Sequence, residues 1–352
     1  MRSKNNWSGD LQTIIDLYYT EVDVTLDKYR DELLNKIIAS KSIAIFTHPN
    51  PDADAIASSY LVFELIKRYN KKGEVYLFEP LPHGLTWLAT DYRHHFIEYS
   101  QSPVLGEDIL VLFVDIGTPS RIGPLWKEVI RRNLGYILID HHLNSQYSQS
   151  AILANSVIVS SPTFVSTTEL LWRLFRTKLK ISPKLATLIL AGILADTDGK
   201  LRQNIPARVD LAVGYLKELG ADENAVIREL FRSYDATFLQ MEWRILQRFV
   251  IVNRVAVLII NNEEYLSENN NGNVLDAGEL AERLRVIAGI DHSCVMIEKT
   301  KGTWRVSLRS HDASFNVSEI ANIFGGGGHR DAAAFTTDLS PDEVLYRIQE
   351  KA

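Results

Sequence analysis

Residues 43–54 read IAIFTHPNPDAD, an unbroken apolar run (Ile43, Ala44, Ile45, Phe46) followed by a turn-rich segment carrying His48, Asp52 and Asp54. Such a run, with no polar alternation, predicts a strand covered on both faces. The pattern recurs twice. LVLFV at 110–114 runs into Asp115, and YILI at 136–139 runs into Asp140, His141 and His142. A further apolar stretch, LILAGILA at 188–195, ends at Asp196. The first three runs read as central parallel strands, and in open α/β sheets ligands gather beyond the carboxyl ends of the strands. One edge of one sheet is therefore expected to carry five carboxylates (Asp52, Asp54, Asp115, Asp140, Asp196) and three imidazoles (His48, His141, His142). Like charges converging without nearby lysine repel one another unless cations sit between them. The pattern predicts a dinuclear metal site.

Composition narrows the class. A chain of 352 residues is long enough for two domains. With 46% hydrophobic and 23% charged residues it has an ordinary globular balance. No run approaches the length of a membrane span, and the basic start MRSKNNWSGDLQ lacks an apolar signal core, so a cytoplasmic protein is expected. A single cysteine, Cys294, excludes an internal disulfide and a cysteine-based zinc site. The formal charge of −6 argues against binding long nucleic acid, while leaving room for a short anionic substrate.

Alternating strand and helix patterns through residue 234 imply an α/β fold, a parallel sheet with helices on both faces. The boundaries read as a helical extension over 1–40, a catalytic domain over 41–234, a linker helix over 235–250 and a smaller α+β domain over 251–352. The amphipathic extension suits a cover for the sheet and leaves a homodimer contact open. Ser166 or Thr167 reads as the cap of a helix over 166–176. The Asn-rich stretch 267–273 (SENNNGN) reads as a loop.

Two cations about 3.5–4 Å apart can share a carboxylate and a water, acidify that water and clamp the oxygens of an in-line phosphoryl displacement. Such a pair needs about six ligands, and His48, Asp52, Asp54, Asp115, His141 and Asp196 provide oxygen donors with some imidazole, the preference of manganese- or magnesium-type ions. In HPNPDADAIASS, VDIG, IDHH and ADTDG the chain resembles the DHH phosphoesterase superfamily, and GGGGHRDAA resembles the signature of its DHH-associated C-terminal domain. The layout is similar to that of nanoRNase/pAp-phosphatase proteins. That resemblance implies two manganese ions per chain, with magnesium or cobalt as substitutes. It places His48 and Asp52 on one ion, Asp54, His141 and Asp196 on the other, and Asp115 between them. It also implies His142 beside the scissile phosphate and Asp140 orienting the metal-bound imidazole. Ala53, Ala57 and Ala334 depart from the common pattern, and no ligand is lost.

Four successive glycines, Gly325 to Gly328, expose backbone N–H groups that can converge on an anion, and a short helix from His329 would add its dipole. Arg309, just after WRVSL, can clamp a phosphate. Neither G-x-x-x-x-G-K-[ST] nor G-x-S-x-G is present. The expected activity is manganese-dependent hydrolysis of short oligoribonucleotides or 3′-phosphoadenosine 5′-phosphate. Cyclic di-AMP or its linear product, and short polyphosphate, are alternative substrates. A nucleotide-sensing binding protein is the alternative from another class.

Overall fold

The computed structural model describes residues 13, 26–78, 81, 84–90, 92–98, 103–117, 119–142, 155–201, 205–233, 236–270, 275–311 and 315–349. The part of the expected N-terminal helix before Leu26, Thr13 apart, lies outside them. The chain divides into two compact units, residues 1–233 and 234–352.

In the first unit, helix α1 (Asp27–Ala39) leads into β1 (Ser42–Phe46), α2 (Ala53–Arg68), β2 (Lys72–Phe78), the short α3 (Thr86–Ala89), β3 (His94–Ile97) and β4 (Ile109–Val114). Helix α4 (Pro124–Arg131), β5 (Tyr136–Asp140), β6 (Val157–Ser160), α5 (Thr167–Phe175), α6 (Pro183–Asp196), α7 (Ala207–Glu218) and α8 (Glu223–Phe231) follow. The six strands pair in the order β3-β2-β1-β4-β5-β6, all parallel. Alternate residues of the central strands point to opposite faces. Ile43, Ile45, Leu112, Val114, Ile137 and Ile139 join one core with α1, α2, α5 and α6. Ala44, Phe46, Val111, Phe113 and Leu138 join a second core with Leu125 and Val129 of α4. Both faces are covered, as the unalternated apolar runs require.

Chain order along the sheet reverses between β1 and β4, and a parallel sheet opens a crevice at such a switch point. Phe46 pairs with Phe113, and Val114 with Ile139, so the segments carrying His48, Asp115 and His141 leave the sheet side by side. Sequence reading missed β3 and β6, which are edge strands of only four residues.

The second unit opens with α9 (Ala236–Leu246), whose Met241 and Ile245 enter that unit's core. This is the helix expected as a linker. Next come β7 (Val250–Val252), β8 (Val255–Ile260), α10 (Asn262–Asn270), α11 (Ala277–Arg285), β9 (His292–Thr300) and β10 (Thr303–Ser310). The unit ends with α12 (Val317–Ile323), β11 (Gly327–Gly328), β12 (Ala332–Thr337) and α13 (Pro341–Gln349). Its sheet runs β11-β12-β10-β9-β8-β7, antiparallel except for β8 beside β9.

Two local expectations are overturned here. Residues 267–270 are the last turn of α10 rather than loop, the helix being started by Asn261, whose side chain accepts from the Glu264 amide. No helix starts at His329. The His329 amide donates to the Ala332 carbonyl at 2.7 Å, closing the tight turn of a β11–β12 hairpin. Among the described residues, no helix is long and apolar enough to cross a membrane.

Candidate metal centre

The site grows from the loop after β1. The His48 Nδ1 lies 2.8 Å from the Pro49 carbonyl. A carbonyl only accepts, so Nδ1 carries the proton and Nε2 presents its lone pair. That Nε2 lies 3.8 Å from Asp52 Oδ2 and 3.8 Å from Asp115 Oδ2. Asp52 caps α2 through Oδ1, accepting from the Ala55 amide at 2.9 Å, and its other oxygen faces His48. One helical turn makes Asp54 a fully buried neighbour of the same loop.

Asp115 follows β4 with φ 54, a left-handed backbone that is uncommon outside glycine. Its two oxygens face different partners: Oδ2 is the one near His48, while Oδ1 lies 3.8 Å from His141 Nε2 and 3.6 Å from His142 Nδ1. The His141 Nε2 also lies 3.2 Å from Asp196 Oδ2 at the C-terminal end of α6. Its Nδ1 faces the Phe164 carbonyl at 3.4 Å. The resulting candidate ligand sets are His48–Asp52–Asp115, Asp54–His141–Asp196 and Asp115–His141–His142, the ligand atoms of each within 4.8 Å of one another. Together they take in all six residues that the sequence singled out as ligands.

Asp140 does not meet the expectation that it orients His141. Residues two apart on an extended chain share a side, and Asp140 Oδ1 instead meets His142 Nδ1 at 2.6 Å. The same carboxylate accepts from the His142 amide at 3.0 Å and, through Oδ2, from the Gly117 amide at 2.6 Å. Burial opposes charge on both groups, yet the short contact wins. Asp140 is held below the usual carboxylate range, and His142 is raised above its ordinary value.

Among the described residues, burial and neighbouring carboxylates raise two members of the cluster. Burial, then the charge of Asp52, pushes Asp54 up to about 7 despite the amides that hold it. Burial, followed by Asp54, Asp52, Asp140 and Asp196, raises Asp115 well above the carboxylate range. Four carboxylates among the six residues would balance two divalent cations, and the nitrogens and oxygens present suit such ions. The donor set fits the metals that the sequence implies.

Sequence reading missed Thr167 and Thr168. The Thr167 amide donates to Asp54 Oδ2 at 2.7 Å, and the Thr168 amide to Asp54 Oδ1 at 2.9 Å. The Thr167 hydroxyl donates to Asp115 Oδ1 at 3.0 Å and accepts from the His141 amide at 3.2 Å. The motif Ser166-Thr-Thr-Glu169 signals a helix start, and Ser166 does cap α5. Nothing in the motif itself says what the first turn faces. Arg121 also went unnoticed; its guanidinium reaches the Ile116 carbonyl at 3.4 Å, and its charge opposes that of His142.

In the second unit, Arg309 is half-buried, with Nε 3.3 Å from Glu282 Oε2 on α11. The glycines divide into two kinds. A Cβ on Gly326 would lie 2.3 Å from the Ala334 carbonyl, and one on Gly328 2.4 Å from the Ala332 carbonyl, so both are demanded by close approach to β12. A Cβ on Gly327 would meet nothing nearer than Asn322 Oδ1 at 3.9 Å, and one on Gly325 nothing within 4 Å.

With this geometry established, comparison with known proteins is decisive for the family. Residues 42–193 match the DHH family N-terminal domain, and residues 251–352 match the DHHA1 domain. The chain belongs to the DHH superfamily. Among curated relatives, the cyclic-di-AMP phosphodiesterase GdpP of Geobacillus thermodenitrificans is 26% identical over 335 residues, 90% of this chain and 48% of that protein. The chain thus spans about half the length of the GdpP relatives it matches. The probable bifunctional oligoribonuclease and PAP phosphatase NrnA of Streptococcus mutans is 25% identical, covering 90% of this chain and 96% of that one. An exopolyphosphatase-related protein from Bacteroides fragilis shares the fold, with a TM-score of 0.75 at 21% identity, over 92% of this chain and 95% of that one.

Proposed function

We propose that this DHH-superfamily chain is a metal-dependent phosphoesterase that hydrolyses short oligoribonucleotides and 3′-phosphoadenosine 5′-phosphate, with two manganese ions as its natural cofactors. The observation that carries the reading is Asp115, whose two oxygens face His48 on one side and His141 on the other. His48, Asp52 and Asp115 would hold one cation, and Asp54, His141, Asp196 and the other oxygen of Asp115 the second. Bound there, the pair would supply an acidified water and offset charge on the phosphoryl oxygens.

The chain's own groups do the rest. Asp140 fixes the His142 ring through Nδ1, which turns Nε2 away from Asp140 and favours the protonated imidazole. His142 would steady a phosphate oxygen and donate its Nε2 proton to the departing oxygen. In the second unit, Arg309 and the Gly325–His329 segment would bind an anionic group, Arg309 leaving Glu282 to do so.

The choice of substrate follows the relatives that match end to end, the NrnA proteins of S. mutans and Mycoplasma pneumoniae. Cyclic di-AMP is the second reading, supported by the match of 90% of this chain to GdpP. A manganese-supplemented panel of 3′-phosphoadenosine 5′-phosphate, di- to pentaribonucleotides, cyclic di-AMP and short polyphosphate separates them. Turnover of the first two classes is expected, falling steeply beyond about five nucleotides, a length implied by the resemblance to nanoRNases, since longer strands need a charged groove to follow. Turnover confined to cyclic di-AMP would transfer the assignment to the second reading. Binding without turnover of any member would make the protein a sensor.

A further inference from the structure

We infer that Thr167 is a positioning residue that sets the rotation of Asp115 and thereby the strength of cation binding. The inference rests on the two-cation reading of the site and adds to it a residue outside the ligand set. Thr167 is fully buried at the first position of α5. A buried hydroxyl is costly unless bonded, and this one has both of its capacities used by the site. The direction of each bond is fixed. The His141 amide can only donate, so Thr167 Oγ1 accepts there at 3.2 Å and its proton goes to Asp115 Oδ1 at 3.0 Å. Its amide meanwhile donates to Asp54 Oδ2 at 2.7 Å. One residue therefore touches three candidate ligands, which come from the first turn of α2 and from the loops after β4 and β5.

The consequence falls on Asp115. Its carboxylate serves both sides of the site only while Oδ1 stays toward His141 and Oδ2 toward His48. With Oδ1 tied to the Thr167 hydroxyl, rotation about the Cβ–Cγ bond is blocked. Without the tie, the carboxylate plane can swing so that its oxygens no longer face His141 and His48.

The first turn of α5 is itself anchored. Ser166 caps it by accepting from the Glu169 amide at 3.0 Å. The buried Glu169 accepts from the Val165 amide at 2.8 Å and pairs with Arg208 of α7 at 2.9 Å. Arg208 also donates to the Thr163 carbonyl. The segment that presents Thr167 is thus held on the side away from the site, and the hydroxyl cannot drift to follow a rotating carboxylate. Outer partners that orient metal ligands typically govern affinity by about 10–100-fold.

The test is calorimetric titration of chelator-stripped protein with manganese chloride, for wild type, Thr167→Val, Thr167→Ala and Thr167→Ser, with melting curves of each. Wild type is expected to take up two ions. Thr167→Val and Thr167→Ala should bind at least one ion about tenfold more weakly, while Thr167→Ser, which keeps the hydroxyl, stays within about threefold of wild type. Thr167→Ala covers the case in which valine overpacks the site and fails to fold. Two-ion uptake by wild type with unchanged affinity in both hydroxyl-free variants would overturn the inference alone. Loss in Thr167→Ser equal to that in Thr167→Ala would also overturn it, since packing would then be the cause. Failure of wild type to take up two ions would overturn the two-cation reading, and the inference with it.

Discussion

The strand-end loops of the first unit and the glycine hairpin of the second both stand out in sequence, yet they differ in what they leave unsatisfied. Around Asp115, burial and neighbouring carboxylates raise both Asp115 and Asp54 above the usual carboxylate range. In the hairpin, two of the four glycines are consumed by contact with β12, and the His329 amide is bonded within the turn. An unusual run of residues points to a ligand only where its chemistry is not already met by the chain.

The sharpest way to break that comparison is at Asp115. Asp115→Asn removes the carboxylate proposed to serve both cations and should lower manganese-dependent turnover of a bis-nitrophenyl phosphate by roughly a thousandfold. Near wild-type turnover in this variant would remove the contrast altogether. The hairpin is probed next. Gly326→Val forces a side chain against the Ala334 carbonyl and should destabilise the second unit by about 3 kcal/mol in denaturant unfolding. Gly327→Val has room, and its stability should stay within about 0.5 kcal/mol of wild type. A rise in KM for that variant, with manganese content unchanged, would show the open part of the loop meeting substrate.

The raised carboxylates can also be read by pH. Asp54 sits at about 7 in the folded chain against about 3.9 when unfolded, so the folded state binds the extra proton between those values. Stability of chelated protein is therefore greatest in acid and falls as pH rises through about 7. The melting temperature of the chelated protein should drop by several degrees between about pH 5.5 and pH 8. Manganese should abolish the drop, and Asp54→Asn should flatten it without metal. A chelated wild type whose melting temperature rises over that range would contradict the crowding argument.

The smallest effect is expected at Arg309, which already has a carboxylate partner. Arg309→Ala should lower kcat/KM for 3′-phosphoadenosine 5′-phosphate by about tenfold, the worth of one charge-assisted contact. A loss of the same size on every substrate would show that the arginine is not sensing the small ones.

The sequence makes the central sheet legible because β1, β4 and β5 need cover on both faces, and that need shows as unalternated apolar runs. The acids and histidines are legible because they follow those runs directly. Thr167 is not, because its partners lie 26, 52 and 113 residues away, and the topology alone brings them together. Edge strands β3 and β6 have only four residues each, too few for a pattern to stand out. No helix forms at His329 because Gly327 and Gly328 pair with β12 and His329 lies in the turn between them. The resemblance pairs Asp140 with the metal-bound imidazole, whereas side-chain alternation brings its carboxylate to His142.

The left-handed backbone of Asp115 sets stability against chemistry at a single position. Holding a non-glycine residue at φ 54 costs about 1 kcal/mol, and a buried carboxylate among four others adds to that cost. Asp115→Gly would relieve both at once. A library of variants selected for heat resistance without a screen for turnover should therefore enrich glycine at this position. Its most thermostable members would be the inert ones.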